Sequence, residues 1–390
     1  MISVQEALQL IEHNAIKGKI ITLAVEDCLG YVLAETALAK INMPPFRQSA
    51  MDGYAVHISN ASQKYNLIGE VKAGDATSYI LKEGEAIRIF TGAAVPDTAN
   101  AVVMQEKVDR QDEVISVQDT PVVNLNIRPL AEQCATGEKV VLQGTKLNPA
   151  ALSYLVSVGV ENLKVYRKPK VAILITGSEL IDIHSEYKEG KIYESNSILL
   201  KSELHQKGIE EISVIKVVDD YEATKHTLEM ALDTHDIVLV SGGISVGDYD
   251  FVGEALRALG TEEIFYKIKQ KPGKPLFFGR RKQALVFGLP GNPASALTCF
   301  YIYVQPVLKR FMGYKEIHLD RKKIAITHDY TVKGIRAQFL KASLKDNKVS
   351  ITGQQSSAMI AAFIEANAYV FIPENSVQLK EGELVEVILL

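Results

Sequence analysis

The sequence predicts a multidomain α/β and β chain. A central doubly wound, mostly parallel α/β domain is flanked by an inserted β subdomain on a discontinuous helical domain and by a C-terminal β-barrel-like domain. Three observations predict this. Residues 168–313 alternate short apolar runs with helical periodicity, the texture of a parallel sheet with crossover helices. Residues 43–133 and 314–390 break instead into short β-rich runs between Gly, Asp and Asn. At 390 residues the chain is also too long for one ordinary core.

In chain order, Ser3-Val4-Gln5-Glu6 is a capping box, and Val4, Leu8 and Ile11 recur at helical spacing, which predicts a helix over 4–14. A second helical piece is expected within 26–36, interrupted by Gly30, and Pro44-Pro45 marks a boundary. The β runs that follow are Tyr54–His57, Tyr65–Val71, Ala86–Phe90, Ala101–Lys107 and Val114–Val117. Helical texture returns at Asn148, a natural N-cap with Pro149 behind it and Gly159 to terminate. The expected domains are 1–42 with 134–167, 43–133, 168–313 and 314–390.

Within 168–313 the expected strands are Val171–Thr176, Ile212–Val218, Ile237–Val240 and Ala284–Gly288. The expected helices are Ile198–Lys207, Tyr221–Asp233, Phe251–Leu259 and Pro293–Phe311. The last region carries β runs at Lys323–Thr327, Ala337–Leu344, Val349–Thr352, Tyr369–Ile372 and Glu383–Leu389.

Composition narrows the function. The net charge of −4 argues against generic nucleic-acid binding. No run is long and apolar enough for a membrane helix, and the N-terminus lacks a signal-peptide pattern, so a cytoplasmic protein is expected. Cys28, Cys134 and Cys299 are far apart and odd in number, which fits reduced thiols better than disulfides or a zinc site. HExxH and the GxxxxGK[ST] loop are missing.

In an open parallel sheet, ligands sit outside the carboxyl ends of the strands. The four expected strand ends lead into Gly177-Ser178-Glu179, Asp219-Asp220, Ser241-Gly242-Gly243 with Gly247 to Asp250 beyond, and Leu289-Pro290-Gly291-Asn292-Pro293-Ala294-Ser295. Taken singly, Glu179, Asp219 and Asp220 read as helix N-terminal charges or caps. Converging with Asp250 on one edge, at least one carboxylate is expected to face a cation, and oxygen ligands opposite phosphates point to Mg²⁺. Lys267, Lys269, Lys271 and Lys274 form a basic cluster in an acidic chain. They can be read as a protected edge strand, but Pro272-Gly273 and Lys274-Pro275 point to a rigid loop aimed at a polyanion. Asn292-Pro293 is expected to cap a helix whose N–H groups face an oxyanion. Asp52-Gly53 alone is a plain turn signal, and Arg88-Ile89-Phe90-Thr91-Gly92-Ala93 ends another strand.

At SAMDGYAV (49–56), IFTGA (89–93), TGSEL (176–180), VDD (218–220), SGGISVGDYDF (241–251), KPGKP (271–275) and LPGNPASA (289–296), the chain resembles the molybdopterin molybdenumtransferase family, which includes bacterial MoeA and the E domain of gephyrin. The match is in order and covers essentially the whole chain. It implies an elongated homodimer with its active site between subunits. It implies insertion of molybdenum from molybdate into adenylylated molybdopterin, with release of AMP and help from Mg²⁺. Transient partners would be a molybdopterin adenylyltransferase and molybdoenzymes, with no nucleic acid and no membrane. Residue by residue, the resemblance assigns catalysis to Asp52, Thr91, Glu179, Asp219 and Asp250, with Asp219 and Asp250 on the metal. It assigns substrate binding to Gly242, Gly243, Ser245, Lys267, Lys271, Lys274, Pro290, Asn292, Pro293, Ser295, Arg336 and Ser357. The family's Arg-x-x-Gly-Glu-Asp reads here Arg128-Pro129-Leu130-Ala131-Glu132-Gln133, so a glycine is Ala131 and an aspartate is Gln133. Lys341 stands where the family often has arginine. The alternative reading is a gephyrin-like scaffold or pterin-binding protein with weakened catalysis, for which Gln133 is the support.

Overall fold

A computed structural model describes every residue except 59–62, 219 and 245–250. The chain divides into two compact units, one of Thr22–Val165 and one of Met1–Ile21 with Tyr166–Leu390.

The larger unit opens with helix α1, Val4–Asn14, whose capping box forms as expected: Ser3 Oγ accepts from the Glu6 N–H and Glu6 accepts from the Ser3 N–H. The sheet elements follow as β1 Val171–Thr176, α2 Asn196–Gln206, β2 Ile212–Val217, α3 Tyr221–Thr234, β3 Ile237–Ser241, α4 Phe251–Ala258, β4 Glu262–Tyr266, β5 Phe277–Arg281 and β6 Ala284–Leu289. Their order across the six-stranded sheet is β2-β1-β3-β6-β5-β4. β2, β1, β3 and β6 are parallel, and β5 runs antiparallel to both its neighbours.

β1, β3 and β6 are buried along their whole length, so both faces are covered and the sequence reads as unbroken apolar runs. Side-chain alternation sorts them into two cores. Val171, Ile173, Ile175, Ile237, Leu239 and Phe287 face one, with α1, α2 and the helix after β6. Ala172, Leu174, Val238, Val240 and Val286 face the other, with α3 and α4. The chain leaves β1 for β2 on one side and returns to β3 on the other. A crevice therefore opens between the carboxyl ends of β1 and β3, the switch point where open α/β sheets bind ligands.

After β6 come α5 Pro293–Cys299, a π turn Phe300–Val304 and α6 Gln305–Phe311, one rod with αR geometry at each junction. Pro306 near the start of α6 cannot donate to the preceding turn, and the wider turn takes up that loss. Strands β7 Arg321–Ile326, β8 Ala337–Lys345, β9 Lys348–Ile351, β10 Ala368–Ile372 and β11 Leu384–Leu389 then close into a five-stranded barrel in the order β8-β9-β7-β11-β10, with β10 back on β8. Closure leaves no unpaired edge in this ring.

The smaller unit carries a six-stranded mixed sheet in the order Ala101–Met104, Gly53–Val56, Glu85–Ile89, Lys64–Val71, Val114–Val117 and Val108–Gln111. The only α-helix among its described residues is Pro149–Ser157, with Asn148 accepting from the Ala151 N–H at 2.8 Å. The helix expected within 26–36 is absent. A 3₁₀ turn at Val25–Cys28 ends at Gly30 (φ +76°), and Val32 and Leu33 then bridge to Lys146 and Val165. Their apolar spacing suits a buried bridge as well as a helix face. All three cysteines are buried and free. Burial, with Asp27 beside it, pushes the Cys28 thiol up to about 11, and burial pushes Cys299 up further still.

At the opposite edge of the large sheet from the crevice, Arg167 grips Asp236 with two hydrogen bonds of 2.6 Å, and the Lys170 N–H adds a third at 2.8 Å. Burial raises the Asp236 carboxyl, but these donors outweigh it and hold the group below 3.8. A depressed carboxyl stabilises above its unfolded pKa and loses that contribution as pH falls through the folded value. Asp236→Asn is expected to cost about 2 kcal/mol at pH 7 and to flatten the acid limb below about pH 4, read by denaturant melts across pH.

Ala131, at the family's glycine, has φ +59° and donates its N–H to Pro44 O at 3.0 Å. A side chain is strained there. Ala131→Gly is expected to stabilise the smaller unit by about 0.5–1 kcal/mol after the entropic cost of glycine, seen as a higher urea midpoint. An unchanged or lower midpoint would contradict this.

Candidate functional site

The switch-point crevice continues into a cleft of about 1440 Å³ in the larger unit, walled by the sheet edge, a lysine loop, the start of α5 and the barrel. At the sheet edge, Gly242 and Gly243 have φ +93° and +63°. A Cβ on Gly242 would lie 2.4 Å from Thr176 O, and one on Gly243 2.8 Å from Val252 Cγ2, so only glycine lets β3 turn this close to β1 and α4. The exposed Glu179 carboxylate folds back over Gly177, both oxygens 2.9 Å from where a Cβ would stand.

The lysine loop is organised by Gln270, which is fully buried. Its Nε2 donates to Pro272 O at 3.0 Å and Gly273 O at 3.2 Å, and its Oε1 accepts from the buried Tyr303 hydroxyl on the π turn. Gly273 (φ +81°) lies against Cys299 of α5, whose Sγ would be 2.5 Å from an added Cβ. Gln270–Lys271 also pairs in parallel with Ala337–Gln338 of β8, so the loop joins the barrel sheet. Lys271 and Lys274 face the cleft from this fixed backbone.

At the start of α5, Pro290, Asn292, Pro293 and the buried Ser295 line the cleft. Asn292 occupies the N-cap position but does not cap with its side chain, contrary to the sequence expectation. Its Nδ2 donates instead to Ser357 Oγ at 3.0 Å, tying α5 to a barrel loop. That loop hangs on Lys341, 3% exposed, whose ammonium donates to Ser356 O and Met359 O at 3.1 Å each; burial lowers its pKa. Arg336 reaches Gln270 O at 3.2 Å.

The cleft thus gathers Glu179, Gly242, Gly243, Lys271, Lys274, Pro290, Asn292, Pro293, Ser295, Arg336 and Ser357. Lys267 is not on its lining. It adopts φ +69°, and its ammonium lies 4.5 Å over the Tyr266 ring. Asp52 and Thr91 belong to the smaller unit. There Asp52 Oδ1 accepts from both the Thr91 N–H and its hydroxyl at 2.8 Å, which lowers the Asp52 pKa. Ser245, Asp219 and Asp250 lie outside the described residues. Among the described residues no group of three or more His, Cys, Asp or Glu could hold a metal.

Sequence reasoning passed over Lys333 and His328, which line the barrel side, and Thr176, Glu194 and Asn196 on the sheet side. Nothing local marks the barrel pair. Thr176, one residue before a glycine at a strand end, carried a usable signal.

The fold and cleft define an α/β protein that gathers fixed cations and a glycine-lined strand edge around one cleft at a switch point. Comparison with known proteins makes this specific. Residues 2–159 match the MoeA N-terminal region (domain I and II), residues 172–310 the probable molybdopterin binding domain, and residues 323–390 the MoeA C-terminal region (domain IV). A molybdopterin molybdenumtransferase of Staphylococcus aureus is 31% identical, covering 100% of this chain and 95% of the relative. One of Staphylococcus epidermidis is 30% identical at the same coverage. A solved molybdopterin biosynthesis MoeA protein of Pyrococcus horikoshii superposes with a TM-score of 0.85 at 33% identity, over 100% of this chain and 99% of that one. A second such structure gives 0.82 at 31% identity, with both chains fully covered. The chain belongs to the molybdopterin molybdenumtransferase (MoeA) family.

Gln270→Leu would leave the Pro272 and Gly273 carbonyls and the Tyr303 hydroxyl without their buried partner. It is expected to cost about 3 kcal/mol in chemical denaturation and to weaken molybdate binding by releasing the loop. Tyr303→Phe removes one donor and is expected to cost about 1 kcal/mol. Equal stability of both variants and wild type would remove Gln270 from its organising place.

Proposed function

We propose that this chain acts in molybdenum cofactor biosynthesis as a molybdopterin molybdenumtransferase, inserting molybdenum from molybdate into adenylylated molybdopterin with release of AMP. The observation that carries the reading is the juxtaposition of Lys271, Lys274 and Arg336 with the glycine edge in one cleft, since molybdate and a phosphoanhydride are both anions. Relatives aligned over the whole chain bear the same name.

In this reading Lys271, Lys274 and Arg336 hold the anions and stabilise charge as an oxygen of water or molybdate attacks phosphorus, the P–O bond of the anhydride breaks and AMP leaves. Ser295 and the Asn292–Ser357 pair offer neutral donors on the same wall. Glu179 contributes a carboxylate at the sheet edge. Mg²⁺ would supply Lewis-acid charge neutralisation when bound. Its proposed ligands, Asp219 and Asp250, come from the family resemblance alone, and no step here depends on it. We further propose a cytoplasmic homodimer in which Asp52 and Thr91 serve a partner's site. Transient exchange would occur with an adenylyltransferase upstream and molybdoenzymes downstream. No described helix is long and apolar enough to cross a membrane.

Purified protein given adenylylated molybdopterin, molybdate and Mg²⁺ is expected to release AMP. Asp219→Ala and Asp250→Ala are each expected to reduce this at least about 100-fold, the scale of losing a group that acts in the transition state. Full activity in both would remove those residues from the site. Rescue of molybdoenzyme activity in transferase-deficient cells separates this reading from a binding scaffold, which should fail to rescue.

A further inference from the structure

The sheet side of the cleft holds two side-chain atoms that the protein itself does not satisfy. Thr176 is 4% exposed and Asn196 8%, both line the cleft, and neither Thr176 Oγ1 nor Asn196 Oδ1 has a hydrogen-bond partner among the described residues. Buried polar atoms without partners are rare and costly, and in a cleft they mark where a ligand completes the network.

The orientation of Asn196 is determined by its neighbours. Nδ2 donates to Gly291 O and to Ser241 Oγ, each at 2.8 Å. A backbone carbonyl only accepts, so the atom facing it must be the amino group, and Oδ1 is left as a fixed acceptor. Ser241 sits beside Ile175 in the sheet register, so Thr176 and the Asn196–Ser241 pair are neighbours across the β1–β3 crevice. A Cβ on Gly243 would lie 2.9 Å from Thr176 Oγ1, and one on Gly242 3.1 Å, so a side chain at either position would crowd that hydroxyl. The Glu194 carboxylate, 8% exposed, lines the same side, with both oxygens taken by the backbone N–H and hydroxyl of Ser197.

The notch sets a fixed amide acceptor and a hydroxyl that can donate or accept beside the Glu194 carboxylate. It disfavours phosphate and molybdate oxygens, which the lysines and Arg336 attract on the other walls. It suits a group that brings its own donors.

We propose that Thr176 and Asn196 read the N–H-bearing edge of the substrate's heterocycle, separately from the cationic anion site. The inference rests on the transferase reading for its ligand class, since adenylylated molybdopterin offers ring N–H and amino donors on its pterin and an exocyclic amino donor on its adenine. The two sources share this chemistry and are distinguished by the probes below.

The test uses the full-length protein and four probes: 2-amino-4-oxopteridine, adenosine, inorganic phosphate and molybdate, titrated by calorimetry or fluorescence. Thr176→Val removes only the unpaired hydroxyl, so its thermal midpoint should equal or exceed that of wild type. Its affinity for the heterocycle seated in the notch should fall about five- to tenfold, with phosphate and molybdate unchanged. Thr176→Ser, which keeps the hydroxyl, should bind like wild type. Lys271→Ala should show the reverse pattern, losing the anions and keeping the heterocycle. Whichever of pterin or adenosine weakens identifies the source. The inference is overturned if Thr176→Val binds both heterocycles as wild type does, or if it loses phosphate and molybdate to the same degree. Failure of the wild type to bind either heterocycle also overturns it, while intact, Lys271-dependent molybdate binding would leave the transferase reading standing.

Discussion

The buried amide of Gln270 is the interaction on which the cleft depends. One side chain ties two carbonyls of the lysine loop to a tyrosine in the helix behind it, and the backbone carbonyl of the same residue accepts from Arg336. Because it lies in the core, each of these bonds is worth more than a surface contact, and leaving any partner unpaired is correspondingly expensive. The loop is held from a third direction by its pairing with β8. Two lysines with many rotamers therefore stand on a backbone with little freedom, which lowers the entropy lost when they engage an anion.

The opposite wall works by close approach instead of by tethering. Gly242 and Gly243 let β3 turn within contact distance of the end of β1, where a side chain at either position would crowd Thr176. The cleft is consequently divided by charge, with cations on the loop and barrel sides and acceptors on the sheet side. Such a division orients a substrate whose one end is anionic and whose other end carries N–H groups. Arg167 and Asp236 brace the far ends of the same strands and keep that work away from the ligand.

The parallel core was legible because β1, β3 and β6 are buried on both faces and so appear as unbroken apolar runs. The convergence of strand ends followed from the same logic. β4 and β5 were not read, because Glu262–Tyr266 and Phe277–Arg281 bracket the lysine loop and carry charge at their outer ends. Val108–Gln111 was missed for a similar reason, being three-quarters polar on an outer strand. The stretch at 26–36 misled because its apolar spacing fits two periods, and Gly30 decided for the turn. At the site, Lys271 and Lys274 announced themselves by type and by their prolines. Gln270 and Asn196 did not, since an amide's importance lies in what surrounds it. The family residues at 131 and 133 differ in consequence: Ala131 adopts a left-handed backbone at φ +59°, whereas Gln133 has an exposed side chain and only its backbone N–H, which donates to Met43 O, is engaged there.

The burial of Cys299 bears on selectivity toward soft metals. A thiol with a depressed pKa beside the lysine loop would be a sulfur ligand in competition with a dithiolene for molybdenum. Here that sulfur is closed off beneath Gly273, and its proton is held far above neutral pH, while Cys28 and Cys134 are buried elsewhere. The lysine loop therefore presents its cations to the cleft without a thiolate beside them.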